Sequence, residues 1–202
     1  MADPDEIVSV HLAAFPGFFM AQLGPRFLRE YYRCVLDYPR GILLTEEGEE
    51  GCIGFVAGFL DPPSFYGELK RRRVRLGLAA CAGIVTRPQR LVTLLANYHL
   101  ARGRAQDAHV PGTAELSSLA VRPDSAGRGV GSRLVKRFLT AAGSMGAARV
   151  ALTTDADRND AVNSFYRRLG FTCSRTFEAR RGRMLNEYVI QIGKDLPCAN
   201  RS

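Results

Sequence analysis

The chain has 202 residues, 46% of them hydrophobic and 24% charged, and a formal net charge of +8. This size and balance are ordinary for one globular domain with a full core. A membrane-spanning protein is excluded by another observation. The longest apolar run, Leu76–Val85, falls well short of the roughly twenty residues that a transmembrane helix needs. The first residues are acidic where a secretory signal is basic and then apolar, so we predict a cytoplasmic location.

Hydrophobic spacing and turn residues predict helices and strands in mixed order. The chain opens with helices near Asp5–Ala14 and Pro16–Leu36, followed by strands near Gly41–Glu46 and Cys52–Leu60 with the turn Glu47–Gly51 between them. Helical segments follow near Phe65–Leu76, Leu78–Val85 and Pro88–Arg102. The remainder comprises the strand Leu116–Val121, a helix from Val130, the strand Arg149–Thr154, a helix over Asn159–Gly170, and a hairpin of Phe171–Phe177 with Met184–Ile192. We predict one domain over residues 1–202 with a mixed sheet, and a disordered tail at Leu196–Ser202.

A glycine-rich turn connects the strand Leu116–Val121 to the helix that starts at Val130. The glycines of Gly127–Gly131 let the backbone adopt torsions closed to other residues and let a ligand come close. The first N–H groups of a helix have no partner within it, so this turn suits a diphosphate, with Arg128 and Arg133 adding positive charge. The alternative is a plain strand–turn–helix connection.

Two common nucleotide motifs fit this turn badly. A Walker loop requires Gly-Lys-Ser/Thr after its second glycine, and a dinucleotide fold requires an acidic residue about twenty positions on. Neither is present here. The segment Ala126–Gly131 instead resembles the acetyl-CoA loop of the GNAT superfamily of N-acetyltransferases, Arg/Gln-x-x-Gly-x-Gly/Ala. Ala126 stands where the family has Arg or Gln, which removes one side-chain contact and leaves the backbone amides.

A second motif makes the resemblance more specific. The segment Asn159–Phe171 is similar to the superfamily signature Asn-x-x-Ala-x-x-x-Tyr-x-x-x-Gly-Phe, with Val162 in place of alanine and Tyr166 at the tyrosine. The two motifs and the strands around them span Glu115–Phe171 in the family's order and spacing. Considered alone, Tyr166 reads as a core aromatic residue of a helix.

The resemblance implies the GNAT α/β fold, a mixed and mostly antiparallel central sheet flanked by helices. Two departures from the family layout are expected. The chain begins at the first helix, so the family's first strand is short or missing. Residues 61–112 form a helical insertion between the family's third and fourth strands, which a short turn normally joins.

The insertion carries nine Lys or Arg against three Asp or Glu, a net of +6 out of the chain's +8. The favoured interpretation is that Leu91, Leu94, Leu95 and Tyr98 pack on the sheet while the basic residues form a solvated face. A second hypothesis is a lid that attracts an anionic acceptor, such as a phosphorylated or nucleotide-linked amino sugar. Attachment of Lys70–Val85 to an acidic membrane surface is less favoured because the pattern is short. The basic residues are Lys70, Arg71, Arg72, Arg73, Arg75, Arg87, Arg90, Arg102 and Arg104.

Acyl transfer to an amine needs a proton acceptor, a donor to the carbonyl oxygen and a proton source for the leaving sulfur. Glu115 is our candidate base, since some histone acetyltransferases of the superfamily carry theirs at this place. Strand alternation would put it on one face with Ser117 and Leu119. Alternatively, Glu115 is an ordinary strand-edge carboxylate, and a chain of water molecules accepts the proton of the amine instead. Tyr166 is the candidate acid.

The resemblance also implies which residues hold acetyl-CoA. The edge of the strand would pair with the amides of the pantetheine arm, Asn159 would hold that arm, and a backbone N–H in the Ser118–Leu119 region would donate to the carbonyl oxygen. The predicted cofactor-binding residues are Leu119, Ala120, Val121, Ala126, Gly127, Arg128, Gly129, Val130, Gly131, Ser132 and Asn159.

No metal is predicted, because His11, His99 and His109 are far apart and share no ligand spacing. The five cysteines include no Cys-x-x-Cys pair and read as reduced structural thiols.

These observations lead to an acyl-CoA-dependent N-acyltransferase that moves acetyl from acetyl-CoA to a primary amine of a small molecule by direct attack in a ternary complex. Amino sugars are the favoured acceptor, and the resemblance allows for a homodimer. The alternatives are a protein or peptide acetyltransferase, acting on N termini or lysines, and a non-catalytic acyl-CoA-binding regulatory module. Nucleic acid is not an expected partner, because the basic residues lack interleaved aromatics and a nucleic-acid-binding motif.

Overall fold

A computed structural model describes residues 3–49, 51–84, 110–180 and 182–193. They form a six-stranded sheet in the order β1-β2-β3-β4-β6-β5. Neighbouring strands are antiparallel except β3 and β4, which are parallel, so the predicted mixed and mostly antiparallel sheet is confirmed. The strands are β1 Gly41–Gly48, β2 Gly51–Leu60, β3 Thr113–Val121, β4 Arg149–Asp155, β5 Thr172–Arg180 and β6 Arg183–Gln191.

Helices cover both faces of the sheet and bury two apolar cores. The first core lies under α1, α3 and α4 and includes Tyr32 and Phe59, and the second lies under α6 and α7 and includes Phe138 and Tyr188. All four of these rings are fully buried, so each face of the sheet has a large aromatic anchor. The helices are α1 Pro4–Ala14, α2 Phe19–Gln22, α3 Pro25–Asp37, α4 Pro62–Arg71, α5 Arg73–Ile84, α6 Val130–Ser144 and α7 Asp160–Arg168.

Two helices that the sequence predicts as continuous are broken. The predicted helix Pro16–Leu36 is divided between α2 and α3, because Gly24 adopts a φ of 87° and Pro25 begins a new helix. The predicted helix Phe65–Leu76 is divided between α4 and α5 at Arg72. Apolar spacing continues across both breaks and therefore could not locate them.

The parallel strands β3 and β4 separate soon after they meet. Their pairing covers only Thr113–Glu115 against Arg149–Ala151, although β3 continues to Val121 and β4 to Asp155. Among the described strands, none pairs with the β4 side of β3 beyond Glu115. The sheet consequently has a wedge-shaped opening between these two strands.

A β-bulge interrupts β3 at the start of this opening. Ala57 of β2 pairs with Ser118, but the next residue, Gly58, pairs with Leu116. Ser117 is therefore an extra residue on β3, and a bulge of this kind shifts the alternation of side chains by one position.

The bulge overturns one expectation about the faces of β3. Ser117 lies next to Tyr31 and Ser118 next to Tyr32, both of α3, so both serines face the first core. Leu119 packs against the second core. Glu115 contacts α4 on the first-core side, so the prediction that it shares a face with Ser117 and Leu119 is right for Ser117 and wrong for Leu119.

The insertion leaves the sheet at the end of β2 and returns at the start of β3, which correspond to the family's third and fourth strands. The N–H of Asp61 donates a 3.2 Å hydrogen bond to the carbonyl of Thr113, so the two ends of the insertion are adjacent. Residues 85–109, which include the predicted helix Pro88–Arg102, lie outside the described residues, as does the predicted tail Leu196–Ser202. Of the helices that the structure describes, none combines the length and apolar character needed to cross a bilayer.

Candidate functional site

The glycine-rich turn forms an open loop before α6. A short 3₁₀ helix at Pro123–Ser125 ends the strand, and Gly127 and Gly129 then adopt φ values of 76° and 75°, which L side chains rarely allow. A side chain at Gly127 would meet open space, so the loop surface is accessible. No side chain in the described part of the chain caps α6, which leaves the first N–H groups of the helix available to an anion.

The loop is held from two sides by close packing and by Arg133. A Cβ at Gly131 would lie 3.4 Å from the ring of Phe165, so the start of α6 approaches α7 closely. Arg133 donates from Nε to Glu46 of β1 at 2.7 Å and from Nη1 to the carbonyl of Arg128 at 3.0 Å. The expectation that Arg128 and Arg133 add positive charge beside the turn is compatible with both positions, although Arg133 also forms an ion pair with Glu46.

The end of β3 offers an unpaired strand edge next to the loop. Leu119, Ala120 and Val121 pair with β2 on one side, and β4 has already diverged on the other. Ala120 is buried in the first core, while Leu119 and Val121 pack on the second. Backbone N–H and C=O groups on such an edge can hydrogen-bond an extended ligand.

The carboxyl group of Glu115 lies where β3 and β4 begin to separate. The hydroxyl of Tyr66 in α4 donates a 2.6 Å hydrogen bond to its Oε1. Burial raises the pKa of Glu115 to about 7, against a smaller lowering by the Tyr66 hydrogen bond. Tyr31 of α3 faces the same carboxyl group, whose charge contributes to the raised pKa of the Tyr31 phenol. Glu115 is thus able to exchange a proton near neutral pH.

Tyr166 lies on the other face of the sheet. Its side chain is buried in the second core, where its ring packs against Phe165, Phe171 and Tyr188. Burial raises the pKa of the phenol, so the hydroxyl keeps its proton and remains a donor. Tyr166 and Glu115 therefore lie on opposite faces of the sheet.

Asn159 stabilises the connection between β4 and α7. Its side-chain amide donates to the carbonyl of Asp155 at 3.2 Å, and Asn163 donates to the same carbonyl at 3.1 Å. The hydroxyl of Thr154 donates to Oδ1 of Asn163 at 2.7 Å. Asn159 is thus fixed beside the end of β4, at the wide end of the opening.

The arrangement of loop, unpaired edge and diverging strands agrees with a comparison of the sequence with protein families. The model of the acetyltransferase (GNAT) family matches residues 6–171. The chain belongs to this family. It is therefore a GNAT acyltransferase, as the two sequence motifs predicted.

Solved structures of other GNAT proteins share the fold. An N-acetyltransferase from Staphylococcus aureus Mu50 has a TM-score of 0.58 at 13% identity, over 95% of this chain and 96% of that one. The ribosomal-protein-S18-alanine N-acetyltransferase from Escherichia coli has a TM-score of 0.56 at 13% identity, over 97% and 95%. An aminoglycoside 6'-N-acetyltransferase complexed with coenzyme A has a TM-score of 0.58 at 13% identity, over 98% and 93%. The curated proteins contain no match to this GNAT chain.

The residues of this GNAT protein fit acetyl-CoA. An uncapped helix start preceded by open glycines suits a diphosphate, and the free edge of β3 suits the amides of an extended arm. Within the described residues, no three His, Cys, Asp or Glu side chains are grouped as metal ligands would be.

Sequence reasoning missed three features of the site: Tyr66, the bulge at Ser117 and the pairing of Arg133 with Glu46. Tyr66 meets a residue 49 positions away, and Arg133 meets one 87 positions away. Contacts over such separations leave no periodic pattern in the sequence. The adjacent serines of β3 were a hint to the bulge, because two neighbouring polar residues break the alternation of polar and apolar residues along the strand.

Proposed function

We propose that this protein transfers acetyl from acetyl-CoA to the primary amine of a small molecule by direct attack in a ternary complex, and that amino sugars are the favoured acceptor class. The observation that carries the proposal is the carboxyl group of Glu115, which has a pKa of about 7 and lies where β3 and β4 diverge. A base is most effective when its pKa is close to the working pH. We retain the predicted cytoplasmic location and the homodimer as parts of this proposal.

The glycine loop would bind the diphosphate of acetyl-CoA. The N–H groups of Gly127–Gly131 provide the donors, Arg128 adds charge, and the edge Leu119–Val121 would pair with the pantetheine arm. Asn159 would contact that arm from the β4 side. The residues assigned to the cofactor remain Leu119, Ala120, Val121, Ala126, Gly127, Arg128, Gly129, Val130, Gly131, Ser132 and Asn159.

Each chemical requirement of the reaction has a candidate group in the chain. Acetyl-CoA supplies an activated acyl group as a thioester. Glu115 accepts the proton that the amine loses as the new N–C bond forms and the C–S bond breaks, and Tyr166 gives a proton to the leaving sulfur. A backbone N–H in the Ser118–Leu119 region, immediately after the bulge, donates to the carbonyl oxygen as it gains charge.

The acceptor would approach Glu115 on the side of the first core. Among the described residues, Tyr66 and Tyr31 face the carboxylate there with their hydroxyls, and hydroxyls can exchange hydrogen bonds with a polyhydroxylated amine. The arginines of the insertion give less support to an anionic acceptor. Arg72 pairs with Asp37 at 2.7 Å, and Arg71 pairs with a glutamate of its own helix, as a solvated face requires.

Binding and chemistry can be tested separately. Acetyl-CoA at about a hundred times its Kd should add about 2.7 kcal/mol to the stability of the folded protein, and an unchanged melting temperature would remove the cofactor assignment. Free-thiol release should then be screened with amino sugars, other small amines and peptides with free N termini or lysines. Turnover of peptides alone would replace the small-molecule proposal with that of a protein or peptide acetyltransferase. Binding of acetyl-CoA without turnover of any acceptor would favour a non-catalytic module.

The roles of the two catalytic candidates can be tested with the best acceptor. Glu115→Gln and Tyr166→Phe should each lower kcat/KM by about 100-fold, because general acid and base catalysis is typically worth that much or more. Glu47→Gln, which changes an exposed carboxylate of the β1–β2 hairpin, is the matched control and should retain full activity. Wild-type rates in both catalytic variants would refute the assignment.

A further inference from the structure

The ring of Tyr66 is fixed by the way the insertion begins. Asp61 adopts a φ of 54° directly after β2, and α4 starts at the next residue, so the helix turns back over the end of the sheet. The rings of Phe59 and Tyr66 then pack edge to face with centroids 5.5 Å apart, and Phe65 contacts both rings. These contacts leave the Tyr66 side chain little freedom to choose another rotamer.

The same packing brings the Tyr66 hydroxyl to Glu115. Phe59 of β2 is the cross-strand partner of Glu115, so a ring packed on Phe59 necessarily lies next to that carboxyl group. The hydroxyl donates to Oε1 at 2.6 Å, a short distance of the kind found when a hydroxyl binds a carboxylate. Among the described residues, the other titratable group that faces the carboxyl is the buried Tyr31 of α3.

We propose that Tyr66 is a positioning residue for Glu115: its hydroxyl holds Oε1 in place, so that Oε2 accepts the proton of the acceptor amine. This inference rests on the proposed function, because it takes Glu115 as the base. It assigns a catalytic purpose to the first helix of the insertion, which the charge pattern alone had suggested to be a solvated face. A hydrogen bond to the charged form of an acid favours that form, so Tyr66 also keeps more Glu115 ionised at neutral pH.

The test compares Tyr66→Phe with a matched variant, Tyr38→Phe. Phenylalanine retains the ring contacts of Tyr66 and removes only the hydroxyl. Tyr38 lies in the same aromatic group, in contact with Phe65, but its hydroxyl interacts with Ser64. Melting temperatures should show that both variants are folded.

Two readouts are needed, one of which does not depend on turnover. The first is the pKa of Glu115, measured by NMR titration of protein labelled with ¹³C at glutamate carboxyls, with Glu115→Gln identifying the resonance. The second is the pH profile of kcat/KM for the best acceptor. In Tyr66→Phe we expect both the NMR pKa and the acid limb to rise by about one pH unit, with activity about fivefold lower at pH 7 and nearly unchanged at pH 9. Tyr38→Phe should change neither readout.

The possible outcomes distinguish the inference from the function on which it rests. An unchanged Glu115 pKa in Tyr66→Phe would overturn the inference. A raised pKa of Glu115 without a shift in the acid limb of the kcat/KM profile would show that Glu115 is not the base. That outcome would overturn both the base assignment and the role of Tyr66. A uniform loss of activity at all pH values would indicate a structural role and would also overturn the inference.

Discussion

Arg133 donates a 3.0 Å hydrogen bond from its guanidinium group to the backbone carbonyl of Arg128, so the helix that follows the glycine loop also holds the loop in place. The same guanidinium binds Glu46 at 2.7 Å and thereby connects the loop to β1. Arg133 and Arg137, one helical turn apart, share this glutamate, but Arg137 donates to the carbonyl of Thr45 and not to the loop. Variants of Arg133 and Arg137 can therefore separate the effect of losing the contact with the loop from the effect of losing an arginine of α6.

Arg133→Ala should weaken acetyl-CoA binding by about three- to tenfold, because the N–H groups of the loop lose an exposed anchor worth about 1 kcal/mol, a typical net hydrogen bond. Arg137→Ala should leave the Kd within about twofold of the wild-type value. Isothermal titration calorimetry of the two variants measures this difference. Equal Kd values for both would mean that the loop keeps its shape without Arg133.

Two glycines should respond in opposite ways to alanine. A Cβ at Gly58 would overlap the carbonyl oxygen of Glu115 and lie 2.6 Å from the ring of Phe138, so Gly58→Ala should destabilise the fold by about 3 kcal/mol or more. A Cβ at Gly67, within α4, would meet nothing within 4 Å. Gly67→Ala should stabilise by up to about 1 kcal/mol, since alanine favours a helix. Urea denaturation of the two variants provides the comparison, and similar losses in both would contradict it.

His11 should make stability depend on pH. Burial lowers the pKa of this imidazole to about 4 from an ordinary value of 6.5, and its Nε2 is one of two buried side-chain atoms without a hydrogen-bond partner among the described residues. Below pH 6.5 the unfolded chain therefore binds a proton at His11 that the folded protein does not bind. The contribution of His11 to the free energy of unfolding is complete above pH 6.5 and is lost as the pH falls towards 4. The loss from this group should reach up to about 3 kcal/mol.

The measurement is the free energy of unfolding between pH 7 and 4 in wild type and His11→Gln. Glutamine can still hydrogen-bond the hydroxyl of Tyr32, which lies 2.7 Å from Nδ1 of His11, but it does not titrate. The difference between the two curves isolates the histidine from the carboxylates. A constant difference across this range would show that His11 does not titrate as expected.

Alanine substitutions at Asn159 and Asn163 should separate the effect on acetyl-CoA binding from the effect on stability. Asn163 is 2% exposed, and its removal leaves the hydroxyl of Thr154 and the carbonyl of Asp155 each short of a hydrogen bond. Asn163→Ala should therefore cost about 2 to 3 kcal/mol in the free energy of unfolding. Asn159→Ala should cost about 1 kcal/mol or less but raise the Kd for acetyl-CoA. Suppose instead that denaturation shows the larger loss of stability in Asn159→Ala and calorimetry the larger rise in Kd in Asn163→Ala. Asn159 would then not be part of the cofactor site.

The features that the sequence predicted correctly depend on neighbouring residues. The strand before the glycines, the positive φ angles at Gly127 and Gly129 and the start of α6 at Val130 all follow from local composition. The mixed, mostly antiparallel sheet is the fold implied by the GNAT motifs between Glu115 and Phe171. Local physical rules and a family signature together were enough to locate the loop and the strand beside it.

The features that could not be predicted arise from tertiary packing. The bulge at Ser117 becomes visible only when β2 is paired with β3. The partner of Arg133 is Glu46 on β1, so nothing near Arg133 in the sequence indicates this ion pair. Each of these depends on a residue far along the chain, which a pattern in a single sequence does not encode.

The hydrogen bond between Asp61 and Thr113 brings the two ends of the insertion together at one point of the sheet. Because the chain leaves and re-enters at one point, a change of length between α5 and β3 should leave the register of β2 and β3 as it is, whereas α4 and α5 supply Phe65, Leu69 and Leu76 to the first core. Loss of α4 itself would remove the phenol that binds Glu115 and uncover part of the first core, so this helix belongs to the domain as much as the sheet does.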